Sequence, residues 1–313
     1  IALYPDAGDT AARMLKAANV AMLEAKKHGG GRFQYYSNAL NTKLAQREDL
    51  EIGLRHALVR DEFVLHYQPR IDLTSGRLIG LEALLRWQHP RFGLLAPARF
   101  LPILESSGLI HSAGEWVIGT ACRQLAGWQR QFEMPDLSIV INLSPQQLVH
   151  KRLVDVMKKT LADTMLDPGC IELEIGDGNV VSKRSTEMET LQDLRKLGVR
   201  LSLDHFGTGD VSFESLDKGF VDSCVLDRDL VADIVDNNSH QRIVRAAIAM
   251  AQGLDIEVAA EGIETLTQLE FLKSCNCDLA QGFLISRPMQ PEKVSAVLRS
   301  EIAGTSLLAR GMP

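Results

Sequence analysis

The sequence predicts an α/β fold, a closed (β/α)8 barrel whose first strand is antiparallel to the rest. Three observations lead there. Short β-rich runs alternate with helical patterns from Glu62 onward, seven or eight units in series over about 250 residues, the usual length of such a barrel. Runs 63–69 and 78–85 flank the turn Thr74-Ser75-Gly76 and read as a hairpin, which reverses the first strand. Polar residues recur at or near the C-terminal ends of the runs, where a barrel brings them to one mouth: Glu82, Asn142, Glu174, Asp204, Asp227, Glu261 and Gln281. A doubly wound open sheet is the alternative, and spacing alone does not exclude it.

Residues 1–36 come first and read as strand, helix, strand. Asp9 suits an N-cap, 11–27 is alanine-rich with apolar positions at helical spacing, and Gly29-Gly30-Gly31 ends the helix before 32–36 resumes a strand. This β-α-β piece is too short to bury a core and reads as a remnant of a larger domain. Residues 37–60 form a linker helix, 61–303 the barrel, and 304–313 a tail. Strands are expected at 63–69, 78–85, 138–143, 170–175, 199–204, 223–226, 257–261 and 280–284. Helices are expected at 97–106, 113–130, 148–163, 187–197, 240–252 and 266–273.

Composition narrows the classes. Of 313 residues, 45% are hydrophobic and 24% charged, as in globular proteins. The net charge of −6 disfavours duplex nucleic acid as a partner but leaves room for a local basic pocket. No apolar run approaches the roughly 18 residues of a membrane span, and no leader is visible, so a cytoplasmic chain or cytoplasmic portion is expected, without membrane contact of its own. The chain begins at Ile1 rather than methionine and is expected to be part of a longer polypeptide. Five scattered cysteines suit a reducing compartment, and Cys275 and Cys277 lack further ligands at zinc spacing. His66, His89, His111, His150 and His240 show no metal spacing and read as surface or helix-end residues; Glu187-Met188-Glu189 reads as a solvated helix face.

The acids carry the chemistry. Glu82 lies in Leu81-Glu82-Ala83-Leu84-Leu85-Arg86-Trp87, an apolar run where an unpaired carboxylate costs several kcal/mol. A ring of acids around one cavity repels itself without a cation, and hard oxygen ligands suit Mg2+, Mn2+ or Ca2+. Any one acid alone reads better as a strand-end residue bonded to a helix cap, whereas the set together reads as a site.

Several separate motifs across Glu51 to Pro288 resemble the EAL family of cyclic di-GMP phosphodiesterases: Tyr67-Gln68-Pro69, Glu82-Ala83-Leu84, Asn142-Leu143-Ser144, Phe206-Gly207-Thr208-Gly209, Ala260-Glu261-Gly262-Ile263-Glu264-Thr265 and Gln281-Gly282-Phe283. The resemblance implies a TIM-like barrel that hydrolyses cyclic di-GMP to pGpG with two Mg2+ or Mn2+ ions. Two metals clamp the attacking water and the leaving oxygen of an in-line displacement. Glu82, Asn142, Glu174 and Asp204 match metal ligands, and Glu261 another, catalytic, acid of that site. Gln68, Leu84, Arg86, Pro97, Glu105, Asp204, Glu261, Gln281 and Gly282 match ligand-binding positions, with Arg86 suited to a phosphate. Residues 1–36 resemble the C-terminal tail of a GGDEF domain, whose catalytic signature is absent from this chain, so no cyclase activity is expected of it.

Four departures fall in the site. The family's Glu-x-Thr-Glu is here Glu174-Ile175-Gly176-Asp177, which removes a hydroxyl and shortens an acid. The second aspartate of its Asp-Asp-Phe-Gly-Thr-Gly, a metal ligand, is His205. Its lysine that orients the catalytic water is Val225. Losing one preorganised electrostatic group typically lowers a rate by about 10²–10³. Mg2+ or Mn2+ is thus expected to bind weakly or not at all, although His205 is able to ligate one softer ion. The expected function is a cyclic di-GMP receptor on a degenerate, inactive barrel that acts on an unidentified signalling protein. The alternatives are a weak phosphodiesterase and a scaffold that binds protein only. Gly207-Thr208-Gly209 reads as a hinge loop. A dimer is compatible with the family, but Asp210-Val211-Ser212-Phe213 replaces the family's Tyr-Ser-Ser-Leu at its contact.

Overall fold

The computed structural model describes residues 1–27, 31–149, 152–176, 185–208, 220–304 and 307. Its strands are β1 (Phe63–Asp72), β2 (Leu78–His89), β3 (Gly93–Leu95), β4 (Ser138–Leu143), β5 (Ile171–Gly176), β6 (Arg200–Phe206), β7 (Ser223–Leu226), β8 (Glu257–Ala260) and β9 (Leu279–Ala280). Its helices are α1 (Ala11–Lys27), α2 (Asn38–Ala57), α3 (Leu101–Ser107), α4 (Ile110–Phe132), α5 (Pro145–Leu148), α6 (Arg152–Thr164), α7 (Ser185–Lys196), α8 (Arg228–Ala232), α9 (Asn238–Gln252), α10 (Leu266–Ser274) and α11 (Pro291–Ile302). Neighbours run β1-β9-β8-β7-β6-β5-β4-β2, and β1 pairs back onto β2, which closes an eight-stranded barrel. β1 is antiparallel to β2 and β9, as the hairpin requires, and β3 extends β2 outside the barrel. The open-sheet alternative is thereby excluded.

The period of two along each strand separates core from site. On β2, Leu81 and Ala83 join a core with Ile139, Ile141, Leu173 and Ile175, packed on Ile118, Cys122 and Leu125 of α4. A second apolar cluster joins Leu50, Leu54 and Ala57 of α2 to Phe63, Trp87 and Phe100. Among the described residues, no helix is long and apolar enough to cross a membrane.

Several local expectations are corrected. The extended pieces flanking α1 meet where Ile1 N donates to Gln34 O (2.6 Å) and Tyr36 N to Ile1 O (2.8 Å). That is a parallel pairing with no further strand beside it, so no regular strand is assigned. Run 280–284 stops as a strand at Ala280 and turns, because Gly282 lies against the Ile263 main chain. Run 97–106 divides into a 3-10 turn at Pro97–Arg99 and α3, which Pro102 opens. In run 148–163, Leu148 closes the short α5, and α6 is described from Arg152 to Thr164. Glu187 is buried (4% exposed) rather than solvated, and His89 is buried with Nδ1 accepting from the N–H groups of Arg91 and Phe92. His150, Asp177 and Gly209 to Phe213 lie outside the described residues.

Candidate functional site

The β1–β2 register sets Gln68 opposite Glu82 and Arg70 opposite Gly80. Gln281, just after β9, donates to Glu82 Oε2 and, at 3.2 Å, to Gln68 Oε1. Asn142 Nδ2 donates to Glu82 Oε1 at 2.7 Å. Both oxygens of this buried carboxylate are therefore held before any ligand arrives. This resolves the first puzzle of the sequence, an acid inside an apolar run.

Glu82, Glu174 and Glu261 each bring one oxygen to within 4.8 Å of the others. Burial first, then Glu261 and Glu82, raise the Glu174 carboxyl well above the usual range, against the pull of Arg70. Burial and then Glu82 push Glu261 up to about 8, again against Arg70. Glu174 Oε2 is buried without a hydrogen-bond partner. Three carboxylate oxygens this close fit a hard divalent cation.

These shifts carry a pH dependence. The folded state holds Glu174 and Glu261 protons more tightly than the unfolded chain, whose glutamates titrate near about 4.3. Up to about pH 8, where Glu261 releases its proton, the folded state binds more protons, so stability falls as pH rises. Above most of the histidine range, between about pH 7 and 8, the melting temperature in EDTA is expected to drop by a few degrees. Saturating Mn2+ should abolish the drop. Calorimetry showing equal melting temperatures across that window in EDTA would contradict it.

Asp204 is not one of the three converging acids, although its charge also raises Glu174 and Glu261; it is engaged with His205. His205 has a left-handed backbone (φ 60) and is largely exposed. Its Nδ1 lies 2.9 Å from Asp227 Oδ2 and its Nε2 3.3 Å from Asp204 Oδ2, while its own N–H donates to Asp204 Oδ1 at 2.7 Å. The imidazole thus ties two strand-end acids together at the rim instead of joining the triad. Burial opposes the ionisation of Asp227, but the Asp229 N–H, His205 and Thr208 hold it below the usual carboxylate range. Val225 is 1% exposed and packs with Ala259, Leu279 and Ile79, an apolar floor where the resemblance calls for a lysine.

Beside the acids opens a cleft of about 420 Å3. Glu82, Leu84, Pro97, Glu105, Asn142, Asp204 and His205 line it, along with apolar Leu101, Ile110 and Val117. Glu105 is fixed by Ser144, whose Oγ donates to it at 2.7 Å. Arg86 lies outside this lining, with Nη1 donating to Leu85 O at 2.8 Å. Gln68, Gln281 and Gly282 lie outside it as well; Gln281 supports Glu82, and Gln68 accepts from Gln281 while donating to Ser286 O.

Sequence reading missed Arg70. It is 2% exposed, with Nη1 2.7 Å from Glu172 Oε1 and Nη2 3.5 Å from both Glu174 Oε2 and Glu261 Oε1. Glu172 also approaches Arg200 (3.6 Å), which bonds Glu257 at 2.6 Å. The signal was available: Arg70 follows Gln68 by two residues on one strand, and Glu172 precedes Glu174 by two.

This barrel with acids at its mouth is that of the EAL family, to which the chain belongs: the EAL domain profile matches residues 53–288. The chain is 37% identical over 296 residues to MucR of Pseudomonas aeruginosa, named a bifunctional diguanylate cyclase/cyclic di-GMP phosphodiesterase. That match covers 95% of this chain but 43% of MucR, so the chain spans less than half of this relative. The solved MucR phosphodiesterase in complex with c-di-GMP superposes with a TM-score of 0.76 at 38% identity, covering 79% of this chain and 99% of that one. The EAL enzyme Bd1971, in its cAMP- and cyclic-di-GMP-bound form, gives a TM-score of 0.77 at 28% identity over 93% of this chain and 76% of its own.

Proposed function

We propose that the chain is a cyclic di-GMP receptor, an EAL barrel that holds the nucleotide without turning it over at an appreciable rate. The observation that carries this is Val225, closed into an apolar floor with Ala259 and Leu279, while Glu105 of the cleft is already fixed by Ser144. Valine offers no donor to orient water or stabilise a developing charge. Glu105 and Ser144 remain for a base edge, and Leu84 and Pro97 for its faces; Arg86, outside the lining, is the cation offered to a phosphate. Support for the ligand comes from relatives whose names and complexes carry cyclic di-GMP. Titration calorimetry with cyclic di-GMP in EDTA is expected to give binding at micromolar concentration; no heat there would overturn the reading.

A second reading is a weak phosphodiesterase, favoured by the Glu82–Glu174–Glu261 triad. Those three, with Asn142 and Asp204 close by, would hold Mg2+ or Mn2+, which when bound activates water for attack on phosphorus. Residues 1–36 fit the tail of a GGDEF domain, as the bifunctional relative suggests, and a cytoplasmic setting suits both readings.

A further inference from the structure

The triad and Arg70 belong to one charge cluster. Arg70 cannot lose its proton, is buried, and is held from below by Glu172, which Arg200 and Glu257 anchor in turn. Its Nη2 touches the same two carboxylates, Glu174 and Glu261, whose oxygens converge with that of Glu82. An ion among those oxygens would stand close to the guanidinium. At such range a +2 and a +1 charge repel by several times the thermal energy even at an effective dielectric of about 20.

We propose that Arg70 is a resident counter-cation that competes with a divalent ion for Glu174 and Glu261. It compensates the acids when no ion is bound, so the barrel folds without metal. It also weakens metal binding relative to what three carboxylates alone would give. The inference rests on the triad as a metal site and not on nucleotide binding or turnover.

Truncating Arg70 alone strands buried Glu172, so the informative variant is Arg70→Met with Glu172→Gln, which leaves the net charge unchanged. Isothermal titration with Mn2+ and melting in EDTA are measured for it, for Glu172→Gln, for Arg70→Lys and for the parent chain. The double variant is expected to bind Mn2+ about tenfold or more tightly than Glu172→Gln and to melt lower in EDTA. Arg70→Lys keeps the charge but not the fork that reaches Glu172, Glu174 and Glu261 together, so its Mn2+ affinity should fall between those of the parent and the double variant. A double variant that is unfolded in EDTA but refolds with Mn2+ is the limiting form of this result. Equal or weaker Mn2+ binding, or a double variant unfolded with and without Mn2+, overturns the competition. Absence of Mn2+ binding in every variant overturns the metal-site reading itself, and this inference with it.

Discussion

Exchanging Val225 for lysine and His205 for aspartate together is expected to produce manganese-dependent release of pGpG, with none expected from the parent chain. The two substitutions restore different things. Aspartate returns an anion to the rim and tolerates the left-handed backbone that His205 adopts. Lysine grows from the apolar floor of Val225, Ala259 and Leu279, with Glu261, the strand-end acid of neighbouring β8, as a partner for its ammonium. Arg70 works against it, because a second cation enters a cluster that already holds one. Each recovered electrostatic group is worth about 10²–10³ in rate, and the pair acts as a unit, so single substitutions should recover far less. Chromatographic detection of pGpG, with Glu82→Ala added as a control, decides the matter. A folded, nucleotide-binding double variant without product would move the defect to Gly176 and Asp177.

Gly282→Ala is expected to destabilise the barrel by about 3 kcal/mol or more, at the upper end of overpacking effects. An added methyl would lie 2.1 Å from the Ile263 carbonyl oxygen and 2.3 Å from its nitrogen, main-chain atoms that cannot rotate away. Two main-chain bonds lock this crossing, Ile263 N–H to Gln281 O and Leu284 N–H to Ile263 O. Gln281 would move with it and release Glu82. Gly127→Ala, with nothing within 4 Å of its added methyl, is the tolerated control. Chemical denaturation of both variants measures the difference, and an unperturbed Gly282→Ala would show that the crossing yields.

Much of this molecule is legible from sequence because strand runs 138–143 and 223–226 are short, β-rich and bounded by turns. Their ends place Asn142 and the Asp227 region where the structure has them. What escaped depends on pairings far apart in the chain. Arg70 meets Glu172 across 102 residues, and no local period links them. His205 likewise reads as a substituted ligand until its bond to Asp227, across 22 residues, turns it toward the rim. The 280–284 run failed as a strand through Gly282, whose close contact with Ile263 no propensity encodes.

The reversed first strand has a mechanical consequence. In an all-parallel barrel the chain comes in at the face opposite the mouth. Here β1 starts at the mouth, so α2 delivers the polypeptide directly to the ligand side. Leu50, Leu54 and Ala57 rest on Phe63, Trp87 and Phe100, and the same cluster holds Ile110 and Ala113, which line the cleft. A shift or twist of α2 therefore reaches the cleft wall through one layer of aromatic rings. The lever arm is short, and whatever precedes α2 in the chain is attached to its far end.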